Sequence, residues 1–188
     1  MTINDYRLKE DKIKILSSLK GKKFNNFIAD NAFGGTKSVR HALFLVGTKY
    51  YCFDNEIIPL DYYGTGIEDV AIFNFDTASE ALISKEKNFE RAIEIPIKQK
   101  IVEIEVVSES QKVFENDILK YETNLTRGVI FHMADGYEVS FEKDIWFSEI
   151  IKIQKGYNLI DKFSSTKEFE DDWTGNYSAH CVRVCELL

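Results

Sequence analysis

The sequence predicts an α+β fold built mainly from antiparallel β-hairpins, with an amphipathic helix at the N-terminus and a short helix near the C-terminus. Three observations carry that prediction. Apolar runs are joined by short turns rather than by regular crossover helices, so strands come in hairpins. The first twenty residues instead carry apolar side chains at helical spacing. And 14 Phe and 9 Tyr stand beside only 2 Pro in 188 residues, a composition that closes a core and is the opposite of a disordered chain.

The opening segment reads as one helix, because Leu8, Ile15 and Leu19 share a face with Leu16 beside them. Asp5 is placed as its N-cap and Gly21 as its end, with Lys9, Lys12, Lys14 and Lys20 on the solvated side. From Lys22 to Lys37 the Phe-, Asn-, Ala- and Gly-rich composition reads as irregular. His41 to Val46 and Lys49 to Phe53 then form a hairpin across Gly47-Thr48. Asp61 to Gly66 is a loop before a strand from Val70 to Phe75, and Thr77 to Arg91 is a short helix or polar connection that Pro96 ends.

The second half is more plainly β. Ile101 to Val107 alternates, and Gly128 to Phe141 is a hairpin turned at Asp135-Gly136. Ile145 to Ile153 is a further strand broken by Gly156, Leu159 to Phe169 is helical, and Tyr177 to Leu187 closes the chain as a strand. Residues 1–188 read as a single domain. Arg40-x-x-x-Phe44 and Arg127-x-x-x-Phe131 each lead through a hairpin to a Phe and an acidic residue, a weak repeat that would divide the chain into lobes 1–90 and 91–188.

Charge is unevenly placed. Through Arg40 there are nine Lys and Arg against four Asp and Glu; the rest of the chain carries fifteen against twenty-seven, for totals of 24 and 31. An acidic body of this kind steers basic partners and repels polyanions. No apolar run is long enough to cross a bilayer, no secretory signal pattern opens the chain, and Cys52, Cys181 and Cys185 are too few and odd in number for a disulfide framework. Those features predict a cytoplasmic protein with no membrane partner. The Ile-, Lys-, Asn- and Phe-rich composition points to an AT-rich bacterial or phage genome.

Few residues form a chemical pattern. His180, Cys181 and Cys185 are badly spaced for zinc, since on a strand the histidine faces away from both thiols. Gly34-Gly35-Thr36-Lys37-Ser38 lacks the glycines of a phosphate-binding loop and reads as a surface turn. Glu142-Lys143-Asp144 reads as a charged strand end. Nothing calls for a cofactor or a metal. His41 and His132 are the residues a hydrolase would use as general base.

Two acidic, aromatic segments point instead to binding. One is Asp61, Tyr62, Tyr63, Glu68 and Asp69; the other is Glu168, Glu170, Asp171, Asp172 and Trp173. Rings supply contact area at low entropic cost, and carboxylates steer a basic partner and fix its register. The leading expectation is therefore an acidic module that binds, and inhibits, a basic protein, in the manner of a toxin-neutralising immunity protein or a nucleic-acid-mimicking inhibitor. A carboxylate- and histidine-dependent hydrolase is the second expectation. Nucleic-acid contact through Lys9, Lys12, Lys20, Lys22, Lys23, Lys37 and Arg40 is the third, opposed by repulsion from the acidic remainder.

Overall fold

A computed structural model describes residues 2–61, 66–145 and 147–188. The chain is mostly antiparallel sheet with few helices, in the order β1 (Thr2–Tyr6), α1 (Glu10–Ser17), β2 (Lys23–Asp30), β3 (Lys37–Val39), β4 (His41–Val46), β5 (Lys49–Leu60), β6 (Glu68–Thr77), α2 (Glu80–Lys87), β7 (Ala92–Glu115), β8 (Ile118–Met133), β9 (Glu138–Lys143), β10 (Ile150–Gly156), α3 (Lys167–Asp171) and β11 (Tyr177–Leu187).

The sheet closes on itself. Its path runs β3-β10-β9-β8-β7-β2-β4-β5-β6, and β3 and β4 are consecutive across Arg40, whose left-handed backbone (φ 63°) turns one ladder into the other. Because β3 pairs with β10 and β4 with β2, the path β2-β7-β8-β9-β10 returns to the β3–β4 segment as a barrel-like circuit, and β5 and β6 continue the sheet from β4. β6 remains at the end of the path, and the interior of the circuit fills with side chains. Phe24, Phe27, Phe44, Phe53, Phe131 and Phe141 lie there, essentially without exposure. The two predicted hairpins meet in this core: the rings of Phe44 and Phe131 are 5.3 Å apart and those of Phe53 and Phe141 5.0 Å, distances at which offset aromatic pairs attract.

Beyond the circuit, β7 and β8 continue as a ribbon to a tight turn at Asn116-Asp117, both left-handed (φ 49° and 64°). The pair of positive φ values matches the twist of the flanking strands. β11 lines β7 from Glu105 to Glu115, and β1 lines β8 from Tyr121 to Leu125, giving an arm in the order β11-β7-β8-β1. On one face of the arm, Val113, Tyr121, Leu125 and Cys181 pack with Phe169 of α3 and with Val70 of β6.

Several expectations are corrected. Residues 2–6 are a strand paired parallel with β8, not the start of a helix; α1 begins at Glu10 after Lys9, and Asp5 binds Arg7 instead of capping it. Leu8 and Leu19 are buried but lie outside α1. Of the segment from Lys22 to Lys37 expected to be irregular, Asn31–Phe33 is a 3-10 turn, while Lys23–Asp30 is β2, the strand beside β4 and β7. An extra residue near Asn25 shifts its register, so Phe24 and Phe27, three apart, both reach the core and the two-residue alternation disappears from the sequence. Pro96 sits inside β7 rather than ending a helix, opposite Asn26 and beside the left-handed Lys98, where the ladder is already irregular. The strand expected from Ile145 begins only at Ile150, after a turn in which Ser148 N–H donates to the Ile145 carbonyl. Leu159 to Phe169 divides into a single 3-10 turn, Leu159–Lys162, and α3.

Candidate functional site

The acidic segments, about a hundred residues apart in the chain, converge on the arm. Leu60 and Ile72 flank the first segment and pack on the same cluster as Phe169 and Trp173 of the second. Trp173 stands 6.0 Å from Phe169, 6.2 Å from Tyr121 and 6.1 Å from Tyr177, ring to ring. Asp61 is exposed and accepts the Gly66 N–H at 3.3 Å; Glu68 and Asp69 open β6 opposite Leu60 and Pro59. Burial pushes the Tyr121 hydroxyl well above its usual range, with the Glu68 carboxylate adding to the shift. Tyr62 and Tyr63 lie outside the described residues. Glu168, Asp171 and Asp172 are exposed on or just past α3. Glu170 faces its own chain, where its Oε1 accepts the Cys181 N–H at 2.8 Å and contacts His180 Nδ1 at 3.1 Å. It thereby covers one outward N–H of β11, which pairs on its other side with β7.

Beside Trp173 opens a groove of about 590 Å³ lined by Ile145, Phe147, Ser148, Asp172 and Trp173. Ile145 and Phe147 are exposed apolar side chains at its mouth. Sequence patterning missed them, because the turn that presents them lies within an expected strand.

A second concavity of about 420 Å³ lies between α2 and the β3–β4 junction. α2 is capped by Ser79 and packs Leu82 and Ile83 against Ile28, Leu43 and Cys52 on the outside of the barrel. That docking sets Glu86 Oε1 3.3 Å from His41 Nδ1. Asp54 is paired with His41 across the ladder, and its Oδ1 is buried without a hydrogen-bond partner. Burial raises its carboxyl above the usual carboxylate range, with His41 opposing the shift. His132 is differently placed: Glu105 engages Nε2 at 3.1 Å and Glu138 engages Nδ1 at 3.3 Å, so both ring nitrogens are taken.

The third concentration of charge is buried. Glu142 and Lys143 are not an exposed strand end, because the chain from Leu159 onward folds over β9. Arg127 holds Glu142 through Nε and Nη2, both at 3.2 Å, and Ser164 N–H donates to the same oxygen at 2.9 Å. Arg183 holds Glu109 at 2.6 Å and gives a further bond to the Ser164 carbonyl. Burial drives the Lys143 ammonium down to about 7, Arg127 adding to the shift, while Asp144 and Glu109 oppose it. Burial also pushes the Cys181 thiol up to about 12 and Cys185 up to about 11, so neither is a ready thiolate. Gly34 and Gly35 make the turn into β3, where a side chain at Gly35 would strike Ile95.

Comparison with protein-family models, with curated proteins and with solved structures found no match.

Proposed function

We propose that this chain is an acidic binding module that recognises and inhibits a basic protein through the face formed by the two acidic segments. The observation that carries the reading is their convergence on one aromatic cluster beside an apolar groove. Interfaces join buried aromatic anchors to a charged rim, and here Trp173, Phe147 and Ile145 line a groove with Asp172, which α3 with its exposed Glu168 and Asp171 leads into. The reading takes residues 1–188 as one α+β unit, since the Phe core draws on both halves of the chain, and places it in a bacterial or phage cytoplasm.

The partner is first captured from the host and identified, and its association rate is then measured against salt. Neutralising Glu168, Asp171 and Asp172 to Gln and Asn lowers that rate by about tenfold at low salt and flattens its salt dependence. Neutralising Glu80, Glu90 and Asp117, three exposed acids elsewhere, leaves it unchanged. An equal response from both variants removes this face from the interface.

One observation favours a hydrolase as a second reading. His41 combines a carboxylate on one ring nitrogen with a position on a cleft. With Nδ1–H donated to Glu86, Nε2 is the proton acceptor for a water in the cleft. A panel of carboxylic and phosphoric esters tests it: turnover that falls at least a hundredfold in His41→Ala supports this reading, and no turnover by the parent chain ends it.

A further inference from the structure

We infer that the cleft between α2 and the β3–β4 junction binds a small organic oxyanion, a carboxylate or phosphate carried on an apolar body. The chain as a whole is acidic, yet the rim of this cleft is not. In each of its three lysine or arginine ion pairs the cation is the more exposed partner, 41% against 28% for Arg40 and Glu149, 69% against 19% for Lys85 and Glu86, and 54% against 5% for Arg91 and Asp30, while His41 and Glu86 are about equally covered. The carboxylates sink into the wall and the positive groups stand at the mouth. A negative group arriving from solvent therefore meets cations first, and the less exposed acids hold those cations in place.

The cations also retain donors. Arg40 reaches Glu149 through Nε at 2.8 Å, and Arg91 reaches Asp30 through Nη2 at 3.0 Å. A guanidinium has five N–H donors in a planar fork, so each has further donors to offer a carboxylate or phosphate. Asp30 Oδ1 is held separately by the Ala32 N–H at 2.8 Å, so Arg91 spends only its Nη2 contact on Oδ2 and keeps its other donors. Lys85 is 3.8 Å from Glu86, a loose pair that a ligand can replace. The backbone supports this presentation. Arg40 is held left-handed, with its N–H given to the Glu149 carbonyl and its carbonyl accepting the Asn55 N–H, both at 2.8 Å. A non-glycine residue kept there stores strain, and such strain clusters at binding sites.

Behind the charged rim the wall is apolar. Ile28, Val39 and Leu43 form the side given by the sheet, and Phe89, with the Arg91 guanidinium 5.1 Å above its ring, forms the side after α2. A fully hydrated ion such as inorganic phosphate leaves that surface unused, whereas an aryl or branched alkyl acid covers it. The cleft volume of about 420 Å³ suits a ligand of one or two rings. This inference concerns binding and does not depend on turnover. A saturable site without hydrolysis leaves it standing and ends only the hydrolase reading.

The test uses the full chain labelled with nitrogen-15 and four probes: 2-naphthoate, 2-naphthyl phosphate, the neutral 2-naphthamide, and inorganic phosphate. Saturable amide shifts confined to residues 38–43 and 85–92 are expected with the first two, weakened at least about tenfold in both Arg40→Gln and Arg91→Gln. The phosphate and carboxylate arms show which oxyanion is preferred. Lys9→Gln, an exposed cation outside the cleft, leaves the affinity unchanged. The inference is overturned if neither anionic probe gives saturable shifts there at millimolar concentration. It is equally overturned if 2-naphthamide or inorganic phosphate binds as tightly as 2-naphthoate, or if both arginine variants, shown folded by their spectra, bind like the parent.

Discussion

Replacing Lys143 by methionine stabilises the protein by about 2–4 kcal/mol at pH 7, and the gain shrinks as the pH rises toward 10. Around the buried end of β9, Arg127 is matched by Glu142 and Arg183 by Glu109, while Asp144 is matched by Lys152 at 2.9 Å. Lys143 is the cation left over, 5% exposed, with a hydrogen bond to the Asp144 carbonyl at 3.2 Å. Removing one member of a balanced pair strands a buried charge and costs several kcal/mol; removing the surplus one strands none. Methionine keeps the length and apolar body of the stem.

The sign of the pH dependence follows from linkage. Folding lowers the Lys143 pKa from its ordinary value near 10.5 to about 7, so between those values the unfolded chain binds the extra proton and the parent gains stability as pH rises. Below about pH 7 the penalty is fully present, and above about 10.5 it is gone. The Cys181 and Cys185 thiols act oppositely, since a raised thiol pKa makes the fold lose stability as pH rises beyond about 9. The difference between variant and parent cancels that contribution and is the quantity to measure. Urea midpoints at pH 6, 7, 8 and 9 should give a difference that is level at the low end and then falls by about 1.4 kcal/mol per unit. A destabilised variant, or a difference constant across that range, refutes the account of this cluster.

What the sequence revealed, and what it hid, divides along physical lines. The β4–β5 hairpin is readable because a local turn joins two apolar runs, and β11 because β-branched and aromatic residues recur between Gly175 and the C-terminal end of the strand. β2 is not, because its bulge destroys the alternation that signals a strand, and its Phe residues then look like composition rather than pattern. The hairpin at Asn116-Asp117 had a signal that went unused: two residues tolerant of positive φ between alternating runs. β1 gave no such cue, since its parallel partner lies more than a hundred residues away.

The same division holds for the sites. The acidic segments were visible as patterns, but their meeting depends on β11 and the β7–β8 ribbon lying side by side. Glu170 looked like its neighbours until α3 placed it against the β11 backbone. His41 was singled out on residue type alone. Its setting needs Glu86 from α2 and Arg40 locked to Glu149, a contact spanning 109 positions. Glu142 and Lys143 were misjudged for a related reason: burial there comes from the segment after Leu159, and nothing in their own neighbourhood announces it.

Gly128→Ala is expected to destabilise the fold by at least about 3 kcal/mol, although in a free strand the same change would help by reducing the entropy of the unfolded chain. Gly128 pairs with Glu142 where β8 and β9 approach closely. A Cβ there would lie 2.3 Å from the Phe141 carbonyl oxygen, 3.1 Å from the Glu142 Cα and 2.9 Å from a ring carbon of Phe163. The ring can rotate away; the neighbouring backbone cannot move without opening the ladder. Opening it also draws Glu142 from the Arg127 guanidinium and the Ser164 N–H, so the steric defect spreads into the buried ion pairs. Two measurements separate these causes. Phe163→Ala in the Gly128→Ala background should recover little of the urea midpoint, because the carbonyl contact remains. Amide exchange should accelerate at Val129 and Phe141 in both variants. Full recovery in the double variant would place the whole cost on the ring and show that β9 can yield, while a loss below about 1 kcal/mol in the single variant would mean that the strands do not approach this closely in solution.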